Sequence, residues 1–174
     1  MSNFKTKLHK IKAFAFDVDG VFTDGTVLAT DNGDLLRSHN AKDGFALRFA
    51  LQKGYKIAII TGGASKSILH RFKPIGITDI YLKSHNKLPD FIDFLDKYQL
   101  SASEVLYMGD DLPDIEILSQ CGVASCPSDA VDEVKDMCHY ISHFPGGKGC
   151  VRDVIEQTMK VQNNWGFDTV TYSG

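Results

Sequence analysis

The chain has 174 residues, enough for one domain with a substantial core, and its 43% hydrophobic and 24% charged content is ordinary for a globular protein. Its 19 Lys and Arg against 22 Asp and Glu give a net charge of −3, so the composition favours neither nucleic-acid nor membrane partners. No stretch is apolar enough to span a bilayer and the basic start lacks a long apolar run, so we expect a cytoplasmic protein with four reduced cysteines.

Apolar strand-like runs alternate with segments of helical periodicity, which is typical of a parallel sheet covered on both faces. The predicted strands are Ile11–Phe16, Lys56–Ile60, Asp79–Leu82, Val105–Met108, Val123–Ser125 and His139–Ile141. The predicted helices are Lys42–Lys53, Ser65–Lys73, Lys87–Tyr98, Leu112–Gln120, Ala130–Asp136 and Gly149–Val161. The pattern predicts one doubly wound, Rossmann-like α/β domain over residues 1–174, with a polar, mobile or docking tail at 163–174.

Residues 21–39 depart from this alternation and predict a β-hairpin inserted after the first strand. Thr26–Thr30 and Leu35–Ser38 have strand character, and Asn32-Gly33 between them predicts the turn. The apolar hairpin side chains are Val27, Leu28, Leu35 and Leu36. Because isolated two-stranded ribbons are marginally stable, we expect these side chains to pack against another subunit or against their own domain.

Acidic, hydroxyl and lysine side chains follow the first four predicted strands. In chain order they are Asp17 and Asp19, Thr61 and Gly62, Lys87, and then Asp110, Asp111 and Asp114. Because ligands of an open parallel sheet bind beyond the carboxyl ends of its strands, we expect these side chains to share one site. Carboxylates from two strand ends suit Mg²⁺, while the hydroxyl, glycine amides and lysine suit phosphoryl oxygens. The pattern therefore predicts phosphoryl transfer.

Each of these residues also has a purely structural interpretation. Thr61 would cap the following helix, Lys87 would be a solvated charge, and Asp111 with Asp114 would complement a helix dipole. Their coincidence at successive strand ends favours the shared site.

Four motifs resemble, in order and spacing, the haloacid dehalogenase superfamily of phosphatases. They are Asp17-Val18-Asp19-Gly20, Thr61-Gly62, Lys87 and Gly109-Asp110-Asp111-Leu112-Pro113-Asp114. The resemblance implies that Asp17 is the nucleophile that forms an aspartyl-phosphate. It implies that Asp19 protonates the leaving alkoxide and then deprotonates the attacking water.

The same resemblance implies the remaining roles in the site. Mg²⁺ would lie on Asp17, on the backbone carbonyl of Asp19 and on Asp110. Thr61 and Lys87 would bind the transferring phosphoryl group. The residues that would orient the site are Asp111 and Asp114.

The spacing between motifs leaves no room for a cap domain. The hairpin and one helix fit between Asp19 and Thr61, and a single β–α step separates Thr61 from Lys87. The site would be open in a monomer, so we expect a large substrate or neighbouring subunits to exclude water from it.

Three further segments resemble the small tetrameric 3-deoxy-D-manno-octulosonate 8-phosphate (KDO 8-phosphate) phosphatases of lipopolysaccharide biosynthesis. They are Asp17–Gly25, Asn40–Gly44 and Gly146–Asp153. The resemblance implies a homotetramer assembled through the hairpins and a phosphorylated keto-sugar acid as substrate. The chain has Gly63 where this family often has a basic residue, and Lys148 where it commonly has arginine.

The substrate is anionic at both ends, so cations near the site are candidates for its carboxylate. The candidate substrate-binding residues are Asp24, Gly25, Gly62, Lys66, Asn86, Lys148 and Arg152. Nine-carbon keto-sugar acid 9-phosphates are the alternative substrates. A phospho-accepting receiver domain and a cap-less phosphatase of proteins or nucleic-acid ends are the alternative functions, but a receiver has its paired acids after the first strand.

Overall fold

The computed structural model describes residues 3–166. Within them the strands are β1 (Ala13–Phe16), β2 (Leu28–Ala29), β3 (Leu35–Leu36), β4 (Lys56–Ile60), β5 (Asp79–Tyr81), β6 (Val105–Met108), β7 (Val123–Cys126) and β8 (Tyr140–Ile141). Six of them form a parallel sheet in the order β5-β4-β1-β6-β7-β8. Because the chain leaves β1 first towards one edge and later towards the other, the sheet is doubly wound, as predicted.

Helices cover both faces of this sheet. In chain order they are α1 (Phe4–Leu8), α2 (Ala41–Gln52), α3 (Lys66–Phe72), α4 (Lys87–Tyr98), α5 (Ile115–Leu118), α6 (Asp132–Met137) and α7 (Cys150–Val161). The apolar faces of α1, α2, α3 and α7 share one core cluster with Phe14 and Phe16 of β1. The apolar faces of α4, α5 and α6 form a second core cluster with Ala13 and Ala15. Neighbouring residues of β1 belong to different clusters because side chains alternate between the two faces of a strand.

The structure differs from the predicted helices in two places, one added helix and one shortened helix. The short helix α1 was not expected, since its five residues carry two lysines and little apolar periodicity. The helix expected over Leu112–Gln120 is instead a 3-10 turn at Leu112–Asp114 followed by the four residues of α5. The turn is tight because the Asp114 carboxylate folds back onto the backbone amides of Asp110 and Asp111. Within residues 3–166, no helix has the length and apolar character that a membrane crossing requires.

The inserted hairpin is short and its apolar side chains face solvent. Leu28 pairs with Leu36 and Ala29 with Leu35, and the turn is Asp31-Asn32-Gly33, with Gly33 at φ +82°. The exposed fractions are 38% for Val27, 64% for Leu28, 43% for Leu35 and 48% for Leu36. The interpretation that these side chains pack against their own domain is therefore wrong.

The beginning of the predicted tail packs on the domain. The Trp165 ring contacts Phe49 of α2 edge-on, with 5.0 Å between ring centroids, and Asn164 Nδ2 donates to the Tyr55 hydroxyl at 2.9 Å. The remainder of the tail, 167–174, lies outside the described residues.

The glycine-rich segment before α7 supports the loop that follows β1. The Gly147 amide donates to the Val21 carbonyl at 2.9 Å, and a Cβ on Gly146 would lie 2.0 Å from the Gly20 carbonyl oxygen. A side chain at position 146 would therefore displace the loop that carries Asp17 and Asp19. The glycines are explained by this close backbone approach.

Asp43, at the start of α2, caps a second helix. Helix α7 begins after Gly149, which has no side chain to accept a hydrogen bond, and the Arg152 amide donates instead to Asp43 Oδ1 at 2.8 Å. Asp43 is 1% exposed, and its Oδ2 has no hydrogen-bond partner among the described residues. Burial raises the pKa of Asp43 to about 6.

We expect Asp43→Asn to stabilise the protein at neutral pH. The raised pKa of Asp43 favours the folded state below about pH 4, and that contribution is lost as the pH rises through about 6. Asparagine keeps the acceptor for the Arg152 amide without the buried charge. Urea unfolding should show a gain of about 1–2 kcal/mol at pH 7.5 that shrinks towards pH 4.5. A gain that grows as the pH falls would contradict this account.

Candidate active site

A cleft of about 400 Å³ lies at the carboxyl ends of β1, β4 and β6. Its lining residues are Asp17, Asp19, Gly20, Gly25, Thr61, Gly62, Gly63, Ser84, His85, Lys87, Asp110, Asp111 and Pro113. The residues predicted at successive strand ends therefore meet at one site, and eight of the thirteen lining residues have polar or charged side chains.

Buried carboxylates crowd the floor of the cleft. One oxygen from each of Asp17, Asp110 and Asp114 lies within 4.8 Å of the others. Burial, followed by the charge of Asp114, raises the pKa of Asp17 to about 7. Burial, followed by the charges of Asp17 and Asp114, raises the pKa of Asp110 to about 8. The cluster therefore needs a positive charge to hold its acids ionised together.

The surroundings of Asp110 fit a hard divalent cation. Its Oδ1 is buried and has no hydrogen-bond donor within residues 3–166. Gly20, at φ +82°, brings the backbone close, since a Cβ there would lie 1.8 Å from Asp110 Oδ2. An oxygen without a donor beside a second carboxylate, that of Asp17, is the arrangement in which Mg²⁺ takes protein ligands.

Lys87 supplies the cation that the structure itself places in the cleft. Its Nζ lies 2.9 Å from Asp17 Oδ2 and 2.6 Å from Asp114 Oδ1, and its side chain is 4% exposed. Burial alone would lower the pKa of Lys87, but the two carboxylates outweigh it and raise the pKa. Lys87 is therefore held charged beside Asp17, and it is not the solvated lysine of the structural interpretation.

Asp114 organises the site from beneath. It is fully buried, and its Oδ1 accepts from Lys87 Nζ and from the Tyr107 hydroxyl, each at 2.6 Å. Its Oδ2 accepts from the backbone amides of Asp110 at 3.0 Å and Asp111 at 3.3 Å. Asp114 thus fixes both the lysine and the loop that carries Asp110. Tyr107 was not predicted as a site residue, because an aromatic residue inside an apolar strand is typical of the core.

Thr61 directly follows β4 and lines the cleft. Its Oγ1 accepts from the Gly63 amide at 3.1 Å, and the residue is 1% exposed. Helix α3 is capped by Ser65, whose hydroxyl accepts from the Ser67 amide. The alternative that Thr61 caps this helix is therefore wrong, and Thr61 instead lines the cleft.

Asp19 is turned away from the carboxylate cluster towards the hairpin. Arg37 Nε donates to Asp19 Oδ1 at 2.6 Å, and Arg37 Nη2 donates to Asp19 Oδ2 at 3.0 Å. Arg37 was not predicted as a site residue. The one available signal was that it is the only arginine or lysine in residues 21–39.

The predicted substrate-binding residues are divided among several places. Gly25 and Gly62 line the cleft, whereas Asp24, Lys66 and Asn86 are exposed and do not line it. Asn86 immediately precedes α4, and Lys66 begins α3.

Lys148 and Arg152 lie away from the cleft of their own chain. With Lys42 they line a separate cavity of about 360 Å³. The Arg152 guanidinium stacks over Phe45 and Trp165, 5.6 and 5.7 Å from the ring centroids. The structure therefore does not bring these two candidate substrate-binding cations to the cleft of their own chain. Ser84 and His85, which were not selected from the sequence, line the cleft instead.

A family model described as haloacid dehalogenase-like hydrolase matches residues 71–151. The chain is 35% identical over 157 residues to the KDO 8-phosphate phosphatase of Salmonella typhi, covering 90% of this chain and 84% of that protein. It is 35% identical over 156 residues to the protein of the same name from Escherichia coli K12, covering 90% of this chain and 83% of that one.

Solved structures give the same result. The KDO 8-phosphate phosphatase of Yersinia pestis superposes with a TM-score of 0.92 at 30% identity, covering 94% of this chain and 88% of that one. The enzyme of that name from Moraxella catarrhalis, solved with magnesium, phosphate and KDO, superposes with a TM-score of 0.91 at 33% identity and covers 95% of both chains.

Proposed function

Because the chain belongs to the family of KDO 8-phosphate phosphatases, within the haloacid dehalogenase-like hydrolases, we propose that it hydrolyses the phosphate monoester of KDO 8-phosphate. The reaction depends on Mg²⁺. The observation that carries the proposal is the cleft, in which a buried Asp17 meets Thr61, Lys87 and Asp110 in a chain similar to these phosphatases over 90% of its length. A receiver domain is not favoured, because the acidic pair follows β6 and a hairpin follows β1.

Asp17, Asp110 and the backbone carbonyl of Asp19 are the ligands we propose for Mg²⁺. The donor-free oxygen of Asp110 supports this assignment, and so do the burial and carboxylate repulsion that raise the pKa values of Asp17 and Asp110. When bound, the cation neutralises carboxylate charge and lets an anionic phosphate approach Asp17.

Asp17 is the nucleophile of the first proposed step. Its Oδ1 accepts from the Val18 amide at 2.7 Å, which leaves Oδ2, beside Lys87, to attack phosphorus. As the new Asp17–phosphorus bond forms, the bond from phosphorus to the C8 oxygen of the sugar acid breaks. Asp19 enters this step protonated and donates its proton to that leaving oxygen, so the sugar acid departs as an alcohol and Asp19 is left as the carboxylate that Arg37 holds at both oxygens.

The second proposed step regenerates Asp17. Asp19, now ionised, takes a proton from a water that attacks phosphorus, and the bond between phosphorus and the Asp17 oxygen breaks. Lys87 and the Thr61 hydroxyl donate to the phosphoryl oxygens in both steps, where charge develops. Asp114 holds Lys87, and Asp111 lies at the rim of the cleft.

The test is a phosphate-release panel with purified protein. We expect turnover of KDO 8-phosphate with Mg²⁺, weaker turnover of nine-carbon keto-sugar acid 9-phosphates, and none when the metal is chelated. Absence of turnover on every sugar acid phosphate would contradict the substrate class. A stable phosphoprotein without turnover would favour a receiver.

The exposed hairpin supports a proposal about assembly. Four apolar side chains of the hairpin are exposed, Leu28 the most at 64%, and the exposure of a contiguous apolar patch to water is unfavourable. We propose that hairpins pack against neighbouring copies in a homotetramer, and that a neighbour covers the open cleft. Free and buried cysteines, such as Cys121 and Cys150, are consistent with the reducing cytoplasm as the location.

A paired substitution tests this assembly. Leu28→Ser with Leu36→Ser should convert the tetramer to smaller species in light scattering, with a loss of about tenfold or more in kcat/KM as the cleft opens to water. Ile92→Ser on α4 is the matched control, because Ile92 is 45% exposed and lies outside the hairpin. An unchanged tetramer in the hairpin variant would refute the interface.

A further inference from the structure

Arg37, which directly follows β3, connects the hairpin to the cleft by pairing with Asp19. Its side chain is 5% exposed, although the neighbouring Leu35 and Leu36 face solvent. Its Nη1 donates to the Leu35 carbonyl at 3.2 Å, while Nε and Nη2 hold both oxygens of Asp19. The guanidinium also lies beside Gly63, with Nη2 3.6 Å from the place of a Cβ there. Arg37 is thus fixed both to the hairpin backbone and to the cleft.

This pairing determines where the Asp19 carboxylate lies. Asp19 is two residues from Asp17, but its carboxylate is outside the cluster of Asp17, Asp110 and Asp114. Arg37 donates a hydrogen bond to each of the two Asp19 carboxylate oxygens. A bidentate guanidinium–carboxylate pair fixes the plane of the carboxylate as well as its position. The Asp19 side chain is 35% exposed, so without Arg37 it would be free to rotate.

We infer that Arg37 is a positioning residue, which holds the Asp19 carboxylate at the rim of the cleft and clear of the metal-binding carboxylates. The inference rests on the proposed function, since it takes Asp19 as the group that exchanges protons with the leaving oxygen and with water. Proton transfer requires the carboxylate within hydrogen-bond reach of these oxygens, so a displacement of about 1 Å is costly.

Two other roles for Arg37 predict different kinetics. If Arg37 bound the substrate directly, its loss would raise KM whether or not Asp19 were intact. If Arg37 merely fastened the hairpin, its loss would lower thermal stability and the effect on kcat would not depend on Asp19. A residue that acts through Asp19 has no effect once Asp19 can no longer transfer protons.

The experiment is a double-mutant cycle of Arg37→Gln and Asp19→Asn in the assembled protein with Mg²⁺. We expect Arg37→Gln alone to lower kcat by about 10- to 100-fold with KM changed by less than about threefold. In the Asp19→Asn background the same substitution should change the residual kcat by less than about twofold. Arg37→Lys, which retains one charged hydrogen bond, should recover part of the loss. Arg48→Gln, at an exposed position of α2, is the control and should leave kcat unchanged.

The outcomes separate this inference from the proposed function. Equal losses of kcat in both Asp19 backgrounds, or a raised KM with unchanged kcat, would overturn the positioning role while leaving the phosphatase intact. An inactive wild type on every phosphate ester would instead refute the proposed function. Thermal unfolding of each variant identifies loss of fold, and Arg37→Lys carries the test if Arg37→Gln does not fold.

Discussion

Asp17→Asn is expected to reduce kcat by a factor of about 10⁴ or more while the protein stays folded. An amide is a far weaker nucleophile than a carboxylate, so the covalent route through Asp17 closes. The fold should persist because the substitution is isosteric and Lys87 keeps its hydrogen bond to Asp114 at 2.6 Å. The measurement is phosphate release from KDO 8-phosphate, with thermal unfolding recorded in parallel.

The same substitution should also change the free energy of unfolding, in a direction that depends on pH. Burial, followed by the charge of Asp114, raises the pKa of Asp17 to about 7, so the favourable contribution of the wild-type residue is lost as the pH rises through about 7. Without metal, Asp17→Asn should therefore be more stable than wild type at pH 8, and the difference should shrink at pH 5. Asp136→Asn, at an exposed position of α6, should alter neither property. Turnover within tenfold of wild type would refute the nucleophile assignment.

The sequence predicted the sheet and the residues at its strand ends for one physical reason. Asp17, Thr61 and Asp110 each follow a short apolar run, and parallel strands bring such positions to one edge of the sheet whatever the details of packing. Strand bounds of β4 and β6 agree with prediction because buried parallel strands are continuous apolar runs. The location of a residue that directly follows a single strand can therefore be predicted from the sequence without knowledge of the tertiary structure.

Residues whose role depends on how separate segments fold together could not be predicted from the sequence. Arg37 meets Asp19 because the hairpin folds back over the cleft, and no local pattern encodes that path. Tyr107 meets Asp114 through a hydroxyl that an apolar strand pattern hides. Arg152 lies away from the cleft of its own chain because its guanidinium packs against Phe45 and Trp165, and no local sequence pattern encodes that packing.

The second large effect is expected at Asp114, where stability and catalysis share one side chain. Asp114→Ala would leave the Tyr107 hydroxyl and two backbone amides without their acceptor, and the buried Lys87 ammonium would keep Asp17 as its carboxylate partner. Removing one partner of a buried ion pair costs about 3–5 kcal/mol when the remaining charge is left unpaired, and the lower end applies here because Asp17 still pairs with Lys87. We expect urea unfolding to show a loss of that size, and phosphate release to fall by about 100-fold or more as the Asp110 loop and Lys87 lose their anchor.

Asp79, at the amino end of the edge strand β5, offers a matched control for this prediction. It is also a buried aspartate that holds a lysine and a tyrosine, Lys97 and Tyr98, but it begins β5 and does not line the cleft. Asp79→Ala should lower the unfolding free energy by less, since the Lys97 side chain is 49% exposed and regains water. Its kcat should stay near wild type. Equal losses of kcat in the two variants would mean that Asp114 acts on activity through global stability alone, whereas a loss confined to Asp114→Ala assigns it to the organisation of the cleft.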